Sequence, residues 1–133
     1  MSAQEQLKSC LTLPNGLTLE LWDCSRPVAG DRWQVVFEAR INIPVSENLP
    51  KSSGPPLIDQ IKTALGPEVH FCQQKVRNFI AADQVQEVFE GLQARFLEST
   101  QAYLGHRDFP GKFILKKFSD YQAQQRYESN YSG

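Results

Sequence analysis

The run Trp33-Gln34-Val35-Val36-Phe37-Glu38-Ala39-Arg40-Ile41-Asn42-Ile43 constrains this chain more than any other stretch. Trp33, Val35, Phe37, Ala39, Ile41 and Ile43 fall on one side of an extended backbone. Gln34, Glu38, Arg40 and Asn42 fall on the other, with Val36 among them. Alternation with period two, one side apolar and one polar, is the pattern of a half-buried antiparallel strand. Its neighbour in sequence alternates too, through Leu17, Leu19 and Leu21, and Asn15-Gly16 before it predicts a two-residue type I′ turn back to a first arm over Lys8–Leu13.

Two tryptophans, Trp22 and Trp33, flank the turn that must join these strands. A one-residue slip in pairing sends every side chain to the other face. With Trp22 opposite Trp33, Leu21 would face Gln34 and Leu17 would face Glu38. Shifted by one, Leu21 faces Val35, Leu19 faces Phe37 and Leu17 faces Ala39. Each buried leucine or phenylalanine is worth about 1.5–3 kcal/mol. The exposed Asp23–Arg32 pair gained in the other register is worth about 0–1 kcal/mol. The apolar register is therefore expected. It puts Trp33 with the core and Trp22 on the polar face, beside Thr18, Glu20 and Cys24 and across from Val36 with Gln34 or Glu38. An indole there needs a cover: the chain's own C-terminal aromatics Phe113, Phe118 and Tyr121, a second subunit, or a small ligand.

Further along, Pro44, Pro50, Pro55 and Pro56 with Ser52-Ser53-Gly54 predict a flexible loop over 44–56. Leu57, Ile58, Ile61 and Leu65 have helical spacing, ended by Gly66-Pro67. Residues 68–80 read as a strand, with Val69 and Phe71 on one side and His70, Cys72 and Val76 on the other. Val85, Val88, Phe89, Leu92, Phe96 and Tyr103 form one helical stripe after Asp83, which with Gln86 sits at capping-box spacing. Residues 112–118 fit a helix or a strand equally, and 126–133 are polar enough to predict a frayed tail. Strands first and helices later give an α+β domain: an antiparallel sheet of about four strands with two or three helices packed mainly on one face. At 133 residues and 41% hydrophobic content, one domain over 1–133 is expected.

The composition weighs against several functions. Fourteen basic and fifteen acidic residues leave a net charge of -1, far from the basic footprint of a nucleic-acid binder. No apolar run reaches the roughly 20 residues of a membrane span. The first ten residues lack the pattern of a secretory signal, and three cysteines are too few and too odd for a disulfide framework, so a cytoplasmic protein with reduced thiols is expected. Two local constellations compete. Cys24, His70 and Cys72, with Cys10 as a fourth ligand, have the atoms of a zinc site or a reactive thiol but no Cys-x-x-Cys knuckle. Lys112, Lys116 and Lys117 among Phe109, Phe113 and Phe118 have the composition that stacks on single-stranded nucleic acid, although the same spacing suits a buried aromatic stripe rimmed by lysine stems. No catalytic set, phosphate loop or nucleophile elbow is present, and no cofactor is implied. The reading that follows is a non-catalytic module that binds another protein or a second copy of itself, using Thr18, Glu20, Trp22, Val36 and Glu38.

Overall fold

The computed structural model describes residues 5–49 and 54–131. The fold is α+β. Its five strands are β1 (Gln6–Thr12), β2 (Thr18–Asp23), β3 (Arg26–Ala29), β4 (Arg32–Pro44) and β5 (Glu68–Ala81); its helices are α1 (Val45–Asn48), α2 (Gly54–Leu65), α3 (Val85–Leu104) and α4 (Phe109–Tyr131). The antiparallel sheet runs β1-β2-β4-β3, and β5 also pairs with β4. Contacts gather the chain into two compact units, Met1–Ile41 with Phe71–His106, and Asn42–His70 with Arg107–Gly133.

In the first unit the long alternating run is β4, and its odd side is the core. Leu19, Leu21, Val35, Phe37, Ala39 and Ile41 are all buried. Helix α3 covers this side, with Phe89 and Phe96 at ring-centre distances of 5.9 and 5.1 Å from Phe37. The faces are those the sequence predicts, but the register is not. Leu21 pairs with Ala39, Trp22 with Glu38 and Asp23 with Phe37. The cause is β3. After a break at Cys24-Ser25 the chain continues along the same edge of β4, pairing Arg26 with Gln34 and Pro27 with Trp33. Cys24 donates its backbone N–H to the Val36 carbonyl at 2.9 Å, and Ser25 Oγ accepts the Val36 N–H at 3.0 Å, so the broken arm stays attached. The reversal falls at Gly30-Asp31, where Gly30 has φ +56°, as the first central position of a type II′ hairpin requires. A turn displaced toward Trp33 moves the register by an even number of residues, from Leu21 opposite Val35 to Leu21 opposite Ala39, which preserves the faces.

The first hairpin also differs from expectation. Asn15 does not take a positive φ, while Gly16 does, at +88°. Gly16 N–H bonds to the Leu13 carbonyl at 2.9 Å and Leu13 N–H to the Leu17 carbonyl at 2.8 Å. This is a three-residue loop with Pro14 leading and glycine in the left-handed place; proline's fixed φ selects it over the type I′ turn. The tip docks on the end of α3. Asn15 Nδ2 donates to the carbonyls of Leu104 at 2.8 Å and His106 at 3.0 Å, satisfying groups a helix C-terminus leaves open.

Strands β4 and β5 are tied by three polar pairs on the even side: Asn42–His70, Glu38–Gln74 and Gln34–Asn78, at 2.6, 2.6 and 2.9 Å. Each step of four on one strand meets a step of four backwards on the other, which fixes an antiparallel register. Helix α3 begins after a 3₁₀ turn over Ala82–Gln84, and no side chain caps it, so the expected Asp83–Gln86 capping box does not form. Its buried stripe ends on Leu104 rather than on Tyr103, which is exposed.

In the second unit, Val45–Asn48 forms a helical turn within the expected loop 44–56; residues 50–53 of that loop lie outside the described residues. Pro55 and Pro56 fall in the first turn of α2, where a missing N–H costs no hydrogen bond. Gly66, at φ +88°, ends α2 with its N–H on the Lys62 carbonyl. Residues 112–118 are helical. Helix α4 continues to Tyr131 through most of the expected tail, of which residues 132–133 lie outside the described residues. The second unit's buried apolar side chains include Ile43, Val45, Leu49, Ile61, Val69, Phe109 and Ile114.

Candidate functional site: the polar face around Trp22

Period two places Glu20, Trp22 and Cys24 of the β2 arm, Val36, Glu38 and Arg40 of β4, and Cys72 and Gln74 of β5 on the even side of the first unit's sheet. Trp22 is half-buried there. Its Nε1 donates to Glu20 Oε1 at 3.0 Å. The Arg40 guanidinium lies over its ring, 4.3 Å from the centre, a cation–π stack. The cover over this indole is thus Arg40, from one strand away.

Arg40 is held on several sides. It donates through Nε to Glu38, pairs with Glu5 at 3.0 Å, and sits 4.0 Å from Cys24 Sγ. Glu38 is the one charged side chain buried among the described residues, and its other oxygen accepts from Gln74 at 2.6 Å. Burial alone would raise the Glu38 carboxyl; hydrogen bonds from Gln74 and Arg40, with the Arg40 charge, outweigh it and hold the group below its ordinary value. Trp22 therefore rests on a fully hydrogen-bonded network, which fixes its rotamer. Leu7 pairs with Trp22 across β1 and β2, so it shares this face, and it is 47% exposed.

Of the residues read from the sequence, Glu20, Trp22 and Glu38 join one network, Val36 lies buried beneath it, and Thr18 is exposed at the start of β2. Arg40, Glu5, Gln74 and Leu7 were not assigned to the site. Arg40 was legible as a polar-face residue, but its reach to Trp22 is a diagonal contact that depends on the true register. Leu7 faces this side only because a bulge at Lys8 interrupts β1.

The competing constellations fare differently. All three cysteines are free thiols. Burial, then the negative charge of Glu38 and Glu5, pushes the Cys24 thiol up to about 11, and burial with Glu38 also raises Cys72; thiols shifted this way are poor nucleophiles at neutral pH. His70 is bonded to Asn42, and among the described residues no three His, Cys, Asp or Glu side chains are placed to hold a metal. On α4, Lys112, Lys116 and Lys117 are exposed, but Phe109 is buried and stacks on Phe113 at 5.6 Å, while Lys117 lies over Phe113 at 5.4 Å. These rings are taken up within the unit rather than offered as a stacking platform. Among the described residues no helix is long and apolar enough to cross a membrane. Compared with known protein families, curated proteins and solved structures, the chain has no significant match.

Proposed function

We infer that this chain is a non-catalytic interaction module, working in a reducing cytoplasm, which binds another protein or a second copy of itself through the polar face around Trp22. The observation that carries the reading is the fixed stack of Arg40 on Trp22 next to the exposed Leu7. Tryptophan and arginine are the residues most enriched at the energetic centres of interfaces, and they contribute most when their geometry is set before binding. Glu20, Glu5 and Gln74 surround the pair as a polar rim, the usual anatomy of a contact patch.

The experiment compares the native chain with Leu7→Lys, whose site is exposed and whose fold should be unaffected. Mass is followed against concentration by sedimentation, and partner capture is measured side by side for the two proteins and for Trp22→Ala. Association or capture by the native chain that is lost in both variants supports the reading. Equal association and equal capture by all three would contradict it.

A further inference from the structure

A separate feature lies on the other side of the sheet. Along β5 the odd positions begin apolar, at Val69 and Phe71, then turn basic at Lys75 and Arg77. Period two aims these two side chains to the face that α3 crosses. There they meet Arg95. A hollow of about 210 Å³ is lined by Lys75, Arg77, Arg95 and Ser99 over the apolar side chains of Leu92 and Phe96. It adjoins a larger one of about 510 Å³, which shares Arg77 and Arg95 and continues past Gly91 to Ile80, Val88, Gln84 and Glu87.

Several observations make this more than a basic surface. Among the described residues neither Lys75, Arg77 nor Arg95 has an acidic partner. Arg77 is steadied by its own strand, through the Val76 carbonyl at 3.0 Å. Arg95 folds back along α3, its Nη2 3.8 Å from where a Cβ on residue 91 would stand, an ordinary contact distance, and Gly91 lines the larger hollow. The trough is also electrically asymmetric. Its narrow end holds three cations and no carboxylate; its wide end holds Glu87 and Gln84.

We propose that this trough binds a small organic phosphate. The phosphate sits in the narrow end, where two guanidinium forks and one ammonium match an oxygen-rich dianion. The body lies over Gly91 between Ile80 and Val88, and presents a hydrogen-bond donor to Glu87. The two hollows together fall in the size range of small-molecule sites.

The test is amide-resolved NMR of the full chain at low ionic strength, titrated with inorganic phosphate, adenosine 5′-monophosphate and adenosine. Saturable shifts are expected at residues 75–77 and 95–99 with both phosphates, the monophosphate binding about tenfold tighter or more, and none with adenosine. Arg77→Ala and Arg95→Ala, both at exposed positions, should each weaken binding by about tenfold with the rest of the spectrum unchanged, and Arg95→Lys should recover part of the loss. Glu87→Gln should weaken the monophosphate alone. Absence of saturable shifts, equal binding of adenosine, binding unaltered in Arg77→Ala and Arg95→Ala, or shifts centred on Lys112 and Lys116 instead would each overturn the proposal.

Discussion

The guanidinium of Arg40 lies 4.3 Å above the ring centre of Trp22, and its Nε–H is given to Glu38, the residue paired with Trp22 across the strands. One side chain thus covers the indole and neutralises the buried carboxylate beside it. Removing it exposes the first and strands the second. Arg40→Ala should cost about 2–4 kcal/mol, a little under the roughly 3–5 for breaking a fully buried pair, because the Arg40 side chain is 28% exposed. Arg40→Lys should recover only part of this, since an ammonium neither stacks flat nor forks to two carboxylates. Urea unfolding of the three proteins checks both.

The same network sets a pH dependence. The Glu38 carboxyl is held below its unfolded value of 4.5. A depressed carboxylate contributes stability that is present above the unfolded value and is lost as pH falls through the folded one. Native stability should therefore decline below about pH 4.5. In Arg40→Ala, burial of Glu38 is opposed by the Gln74 hydrogen bond without the Arg40 hydrogen bond and charge, so the carboxyl is less depressed, the variant should lose less on acidification and the two stability curves should converge. Denaturant titrations between neutral and acid pH give the comparison.

Cys24 shows the opposite sign. Its thiol is pushed up to about 11, so the folded state holds the proton more tightly than the unfolded chain. The associated stability is full below pH 9 and is lost as pH rises through 11. At pH 8 its thiolate fraction should be about a hundredfold below that of an unshifted thiol. Mass-resolved alkylation should label Cys10, exposed on the edge strand β1, well before Cys24.

The hairpin tip and the end of α3 are fitted to each other. A Cβ on Gly105 would stand 2.7 Å from Pro14 Cδ, so Gly105→Ala should cost about 1–3 kcal/mol. Asn15→Ala should cost about 1–2 kcal/mol through its lost bonds to the Leu104 and His106 carbonyls. Asn15→Asp should be worse than alanine, because it puts a carboxylate against carbonyl oxygens at the negative end of a helix. Thermal melts rank the three.

Phe79 has φ +58° and is 74% exposed. A bulky side chain in the left-handed region is strained, and this one has little burial to lose. Phe79→Gly should raise stability by about 1 kcal/mol, measured by the same unfolding curves.

The two faces of the sheet were legible because period two survives any even error in register. Leu19, Leu21 and Phe37 could be assigned to the core without knowing which pairs with which. The register itself was not legible. It depended on Gly30-Asp31 making the reversal and on Arg26–Ala29 extending the arm past a break, and neither breaks the alternation. The bulge at Lys8 is equally silent in sequence, so Leu7 went unseen. Helix α3 was readable from its stripe, but its last buried residue and its start were displaced because a 3₁₀ turn replaced the expected cap. Lys75, Arg77 and Arg95 come together only through the packing of α3 on β5, across a separation that no local pattern encodes.

The orientation of Trp22 is tested most directly by its own fluorescence in a Trp33→Phe background, titrated with acrylamide. A half-buried ring under a guanidinium should emit at intermediate wavelength and be quenched readily, and Leu7→Lys should leave that quenching intact. Blue-shifted emission that acrylamide cannot reach would place the indole among the leucines and contradict the proposed contact surface.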